Sequence, residues 1–306
     1  MLGFPMRFVL IVLSTERGST QLTVGATIFG ITPVILYTAS TFYHAHVPPR
    51  AKSIFEEQVT GAIRYLEGEL CTTDLLARHG WTCGLSGKWH LGDSQIPQHG
   101  FSDWFVHQRG GGPYNDAPMV RNGQLVNEPG YVTDVITDVA VRWLERRAVD
   151  RPFCLMVHHK APHRHWEPSP EHLSLYDGET IPEPETLWDD YAGRAPAAAA
   201  AQCRMRDLDA LDLKTPIPEG LTPDEETSWR YQRFIKDYLR CIASVDDSVG
   251  RLLDWLDESG AAENTLVVYS SDQGFFLGEH GWYDKRFIYE ESIRMPLIVR
   301  DPHGRR

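Results

Sequence analysis

The chain has 306 residues, of which 42% are hydrophobic and 24% charged, the proportions of a soluble globular protein with ample material for a core. Its formal net charge of −12 excludes nucleic acid as the main partner, because phosphate binding needs a basic surface. Acidity does not exclude a small anionic ligand, since a pocket can be locally positive inside a negative protein.

Arg7 precedes a short apolar run, Phe8 to Leu13, which reads as a first strand and is followed by Ser14, Thr15, Glu16 and Arg17. No small-residue cleavage site follows it, so no clean signal peptide is legible and a cytoplasmic location is the default expectation. Residues 18 to 43 carry no charge but are rich in Thr, Ser and Gly and broken by Pro33, so no stable membrane span is expected. Further strands are expected at Thr82–Ser86, Phe153–His158, Leu266–Ser270 and Pro296–Val299.

A helix is expected after Tyr131, capped by Thr133, with Val135, Ile136, Val139, Ala140, Trp143 and Leu144 on one face. A second runs from about Thr227 to Ser259, is stopped by Gly260, and has a possible kink point at Gly250. Between the two lies a Pro-, Ala- and acid-rich stretch, Glu167 to Pro223. Short apolar runs alternating with amphipathic helices predict an α/β fold, a mostly parallel sheet with helices on both faces. The five cysteines form no metal-ligand spacing and no disulfide framework.

Open α/β sheets present ligand-binding groups at the carboxyl ends of their strands. Three segments stand there. Gly87-Lys88-Trp89-His90-Leu91-Gly92 follows one strand and His158-His159-Lys160-Ala161-Pro162-His163 closes another. Ser271-Asp272-Gln273-Gly274, then Gly278-Glu279-His280-Gly281 and Asp284-Lys285-Arg286, follow a third. Each tripeptide alone is an ordinary loop start. Together they bring lysines, histidines and a carboxylate to one rim.

The stretches Leu85 to Gly92, Ser270 to Arg286, Tyr289 to Ser292 and Arg294 to Leu297 resemble the sulfatases of the alkaline-phosphatase superfamily, over about Tyr65 to Arg300. The resemblance implies an alkaline-phosphatase-like sulfatase core, without the small C-terminal subdomain that longer relatives carry. Residues 1–64 would be a degenerate or shortened N-terminal part and 65–306 the remainder of one catalytic domain. It further implies hydrolysis of sulfate esters. Lys88 and Lys285 would hold the sulfate oxygens, His163 would sit at the leaving-group oxygen, and His90 would contact the nucleophile. Asp272 and Gln273 would offer oxygen ligands to Ca²⁺ or Mg²⁺. The segment His158 to Trp166, with Asp189 to Arg194, is similar to the carbohydrate branch that acts on 6-sulfated N-acetylglucosamine. There Trp166 could stack on a sugar while Asp190 and Arg194 bind its hydroxyls. Equally, Trp166 could be core, and Asp189, Asp190 and Arg194 a surface ion pair.

One part of the family pattern is missing. Sulfatases oxidise a cysteine in a Cys-x-Pro-Ser-Arg or Cys-x-Ala-x-Arg motif to formylglycine. No cysteine precedes Cys71, and Leu70-Cys71-Thr72-Thr73-Asp74 lacks both the Pro and the Arg, so formylglycine cannot form. Thr32-Pro33-Val34-Ile35 still resembles the family start. Ala45 to Arg50 allows two registers, one setting His46 where the cysteine belongs, the other a deletion of the nucleophile loop; the deletion is favoured. Ser14 stands where a metal-binding aspartate is expected, so it should lie near Asp272 and cation binding should be weakened. Three functions stay open: a sulfatase-family protein of doubtful activity acting on a small-molecule or glycan sulfate ester, an ester hydrolase using metal-bound water, or a sulfated-glycan binding protein.

Overall fold

The computed structural model describes residues 8–14, 66, 68–91 and 94–304. The segments around Thr32, His46 and Arg50, the uncharged stretch 18–43 and Gly92 lie outside them. No helix among the described residues is long and apolar enough to cross a membrane.

Two compact units make up the chain. The larger is built on an eight-stranded sheet of β1 (Phe8–Ser14), β2 (Thr82–Gly87), β3 (Asp103–His107), β4 (Pro118–Arg121), β5 (Gln124–Asn127), β6 (Phe153–His159), β7 (Thr265–Ser271) and β10 (Leu297–Arg300). Their order is β10-β7-β1-β6-β2-β3-β4-β5. β2 pairs in parallel with β3 and β6, and the remaining ladders are antiparallel. Followed across the sheet, these pairings make β2, β3, β5, β6 and β7 run one way, and β1, β4 and β10 the other. The sheet is mixed with a majority direction.

Alternation along the central strands divides the core in two. Phe153, Leu155 and Val157 of β6 meet Ile136, Val139, Ala140 and Leu144 of helix α2 (Val132–Arg146), together with Leu252 and Leu256. Cys83 and Leu85 of β2 face the other way with Trp81, Trp89, Trp104 and Val106, and helix α1 (Thr72–Arg78) adds Leu76 there. The two faces are covered by different helices, the layering that period-two strands demand. Buried Ser86 donates to the Ile136 carbonyl (2.8 Å), tying β2 to α2.

The structure revises several expectations. β1 lies antiparallel to both neighbours: Phe8 pairs with His159 and Ser271, and Ser14 with Phe153 and Thr265. Ser14 therefore stands at the end of the sheet away from Asp272, about 24 Å off at some 3.4 Å per residue. A continuous apolar run carries no sign of its direction, so the sequence could not reveal this. Thr133 does not cap α2. Tyr131 occupies the N-cap position, and Thr133 is buried inside the first turn. The long helix α3 (Pro223–Glu258) starts four residues early, where Thr222 and Glu225 form a reciprocal capping box ahead of Pro223. It passes Gly250 unbroken. The hairpin β4–β5 was hidden behind Asn122-Gly123, whose φ values of 46° and 90° suit a two-residue turn.

The smaller unit comprises 161–244 and 273–295. Its core gathers Trp166, Phe234, Tyr238, Phe275 and Tyr283. Buried Asp237 is satisfied by Lys214 (2.8 Å), Arg233 (3.0 Å) and Arg240 (3.0 Å). A two-stranded ribbon joins β8 (Phe276–Leu277) to β9 (Tyr283–Asp284).

Among the imidazoles buried in the sheet unit are His107 at the end of β3 and His159 at the end of β6. Burial pushes His159 down to about 4, and burial with the charges of Lys88 and Lys160 pushes His107 down to about 3. An unfolded imidazole titrates near 6.5. Below that pH the unfolded chain takes up protons that the folded chain refuses, so this contribution to stability is full above pH 6.5 and falls toward pH 4 and then 3. The loss is roughly 1 kcal/mol per pH unit for each ring. The urea midpoint is expected to fall steadily between pH 7 and pH 4.5, and less steeply in His159→Gln. A midpoint that is level over this range, or equally steep in the variant, would show that these rings titrate alike in both states.

Candidate active site

Lys88 owes its position to the residue before it. Gly87 has φ of +120°, and a Cβ there would lie 2.0 Å from the His158 carbonyl oxygen. Only glycine lets the ends of β2 and β6 approach so closely. The Lys88 amide then donates to the His158 carbonyl (2.8 Å), and His158 Nδ1 contacts the Lys88 carbonyl (3.1 Å). The Lys88 side chain is 1% exposed. His90, two residues on, is partly buried with φ of +54°. β2, β6 and β7 share one direction, so Lys88, His90 and Asp272 emerge at the same edge of the sheet. β2 and β7 are three strand spacings apart, about 14 Å.

Three further features belong to this edge and were not singled out in the sequence. His107 closes β3, and among the described residues neither of its ring nitrogens has a hydrogen-bond partner. Lys160 is buried, its ammonium 3.8 Å from the centre of the Tyr114 ring, which stacks on Tyr131. The loop Gly110-Gly111-Gly112 covers these groups. A Cβ on Gly111 would lie 2.8 Å from Lys88 Nζ, and one on Gly112 2.9 Å from His107 Nδ1. Two buried ammonium groups act on one neutral imidazole in a chain of net charge −12. The legible signal was the glycine triplet, masked because β3 itself was not recognised.

In the smaller unit, Lys285 is buried beside Asp284, 3.1 Å from its carboxylate, and Arg286 pairs with the same group at 2.5 Å. Burial opposes ionisation of Asp284, but Lys285, Arg286 and Arg164 outweigh it and hold the carboxyl below its usual range. His163 is half-buried, with Nδ1 2.6 Å from the Arg164 carbonyl. Gln273 is buried, and Gly274 after it permits contact with the Glu291 carbonyl, which a Cβ would meet at 2.1 Å.

Trp166 is fully buried, its ring edge-on to Phe234 at 4.6 Å and to Tyr283 at 6.0 Å. Those neighbours occupy the surface a sugar would need, so of the two readings of Trp166 the structure gives the core residue. Arg194 pairs with Asp189 (2.7 Å), which also binds His280 Nδ1 (2.7 Å), and it reaches the Tyr289 hydroxyl (3.3 Å). Asp190 is exposed and accepts the Ala192 amide (2.7 Å).

Asp272 and Gln273 offer carboxylate and amide oxygens, the hard donors that Ca²⁺ and Mg²⁺ take, and so fit such a cation in kind. Ser14, at the far end of β1, is not placed to join them. Elsewhere, Cys71, Asp74 and His99 lie together, as do His165, Asp209 and Asp212. Asp74 and Asp209 cap helices, and Asp212 is bound by Arg164 and His165. Burial, with Asp74 and Glu69, pushes the Cys71 thiol up to about 11. At neutral pH it is therefore held as the thiol, not as the thiolate that attacks.

Comparison with known proteins follows the same lines. The sulfatase family model matches residues 66–306. The chain is 39% identical over 271 residues to an N-acetylglucosamine-6-O-sulfatase of Bacteroides thetaiotaomicron, covering 74% of this chain and 48% of that protein. It thus spans about half the length of that curated relative. A solved structure in complex with its substrate, D-glucosamine-2-N,6-O-disulfate, is 39% identical with a TM-score of 0.72, over 76% of this chain and 55% of that one. A phosphonate monoester hydrolase of Agrobacterium radiobacter, 18% identical with a TM-score of 0.50 over 75% of this chain and 52% of that one, shares the fold. The motifs after β2, β6 and β7, the sheet that carries them and a match reaching through most of the chain have one explanation: this chain belongs to the sulfatase family.

Proposed function

We propose that the chain holds the sulfate group of a sulfated amino sugar at the carboxyl edge of its sheet and, as written, turns it over slowly. The observation that carries this reading is the pair of buried ammonium groups, Lys88 and Lys160, beside a neutral His107 under a glycine loop. Buried positive charge in a strongly acidic protein makes a local well for an anion. The sugar is argued from the relative, an N-acetylglucosamine-6-O-sulfatase, and from the substrate of the related structure.

In this reading Lys88 and Lys285 hold sulfate oxygens and offset the charge that grows on them as the ester bond breaks. His163 donates a proton to the leaving oxygen. His90 adjoins the place of the attacking group. Asp190 keeps one carboxylate oxygen for a sugar hydroxyl, while Arg194 is held by Asp189 and Tyr289 as a wall of the sugar site. Asp272 and Gln273 would hold a divalent cation, which when bound adds positive charge at the sulfate. The attacking group itself is lacking: no cysteine precedes Cys71, and the Cys71 thiol stays protonated. Positioning and electrostatics alone leave a residue of catalysis over water.

Isothermal titration is expected to detect sulfated glucosamine, with affinity falling about tenfold or more in Lys88→Ala and Lys285→Ala, since each removes a charge-assisted hydrogen bond. Unchanged affinity in both variants would refute the sulfate cradle. Calcium titration is expected to be weak and to weaken a further tenfold or so in Asp272→Ala, because the site loses its carboxylate; an unaltered titration would remove Asp272 from the ligand set. On an aryl sulfate with added Ca²⁺, turnover is expected near background. Turnover at about 1 s⁻¹ or faster, abolished by Asp272→Ala, would instead establish metal-bound water as the nucleophile.

A further inference from the structure

With Trp166 in the core, a bound sugar needs another surface to lie on. The smaller unit has one in Trp188, which is 49% exposed although tryptophan is on average a well-buried residue type. Among the described residues no other ring and no cation packs on its face, and its indole N–H points to a Glu183 carboxylate oxygen at 3.4 Å.

A lone exposed apolar side chain is ordinary and by itself marks nothing. Trp188 differs in how firmly the chain on either side of it is held. Leu187, before it, is buried, and its carbonyl oxygen lies so close to Gly281 that a Cβ there would come within 2.9 Å. Asp189, after it, closes a turn onto the Thr186 carbonyl (3.0 Å) and binds both His280 (2.7 Å) and Arg194 (2.7 Å). The His280 amide donates to the Thr186 hydroxyl (3.1 Å), and the Tyr191 hydroxyl donates to the His280 carbonyl (2.7 Å). Tyr191 in turn stacks on Trp282, with the rings 8° from parallel. The Gly278-Glu279-His280-Gly281 motif thus braces residues 186–191 by main chain and side chain together. An indole on a braced segment is ordered before any ligand arrives, which lowers the entropy lost on binding.

The polar group beside the indole narrows the ligand. Asp190 is two residues on, its Cα at most about 7 Å from that of Trp188. It is exposed, forms no ion pair with any described residue, and accepts the Ala192 amide (2.7 Å) through Oδ1. A carboxylate has further lone pairs for hydroxyl donors. The face of an indole is negative and attracts weakly positive C–H bonds. A pyranose ring supplies both partners, with C–H bonds on its face and hydroxyls around its rim. A bare oxyanion supplies neither, and the charge of Asp190 would repel it.

We propose that Trp188 and Asp190 form a carbohydrate subsite, in which a pyranose ring lies on the indole and its hydroxyls donate to the carboxylate. The proposal rests on the sulfated-sugar reading above and assigns recognition of the sugar, rather than of its sulfate, to these two side chains.

The test is titration calorimetry with the whole chain, using sulfated glucosamine and inorganic sulfate as probes. Trp188→Ala is expected to weaken the sulfated sugar about three- to tenfold, the size of one aromatic contact. Trp188→Phe should restore most of that loss, and Asp190→Ala should cause a comparable one. Inorganic sulfate should bind all four proteins alike. Half of the indole already lies outside the core, and buried Leu187 is untouched, so these variants keep the fold. Fluorescence gives a second readout: the sugar covers an exposed indole, so emission should move to shorter wavelength in the wild type and not in Trp188→Phe. Unchanged sugar affinity in Trp188→Ala, or an emission shift that persists in Trp188→Phe, overturns the proposal. So does a loss in Trp188→Ala that is equal for sugar and inorganic sulfate, which would make the effect one of folding or of the anion cradle. If the wild type binds no inorganic sulfate, the cradle at Lys88 is refuted, while a sugar affinity that falls in Trp188→Ala and returns in Trp188→Phe still upholds the subsite. A wild type that binds neither probe overturns both.

Discussion

The site edge of the sheet depends on one close approach, that of Gly87 to the carbonyl of His158. A side chain of any size would drive β2 and β6 apart where their last residues must exchange backbone hydrogen bonds. With that contact made, the Lys88 amide has its partner, the ammonium has a fixed point of departure, and the loop through His90 turns in a left-handed conformation. The glycine triplet at 110–112 repeats the device from the other side. Main chain, not side chain, lies against Lys88 and His107, so charge can be packed where bulk would exclude it.

Burial of that charge has an electrostatic consequence for its neighbours. An imidazole between two ammonium groups and shielded from water cannot take a third positive charge, so His107 remains neutral at any pH the protein is expected to meet. Asp284 shows the converse in the smaller unit, where adjacent cations overcome burial and keep a carboxyl ionised. Lys285 therefore comes with its own counter-charge.

Much of this was legible before any coordinates. The strand-ending motifs singled out Lys88, His90, Asp272 and Lys285 as candidates because a parallel α/β sheet leaves functional groups at its carboxyl ends, and the amphipathic stripe of α2 was visible in its spacing. What escaped was information the one-dimensional pattern does not hold. Direction is absent from an apolar run, so β1 could be located but not oriented, and Ser14 was assigned to the wrong end. Burial of a large aromatic depends on partners distant in sequence: Trp166 owes its place to Phe234 and Tyr283. The Asn122-Gly123 turn and the Thr222-Pro223-Asp224-Glu225 capping box were readable, and were obscured by looking for longer signals.

The strand that stands between β6 and β7 also precedes both of them in the chain. Its hydrogen-bonding partners lie about 150 and 260 residues further along the chain. At ribosomal speeds of roughly 5–20 residues per second, those partners follow some 10 to 50 seconds behind it. For that interval Phe8–Ser14, seven uncharged and mostly apolar residues, has both edges unsatisfied and is a template for pairing with another nascent copy. The same placement that later gives the strand two complete ladders makes its early exposure a burden for chaperones.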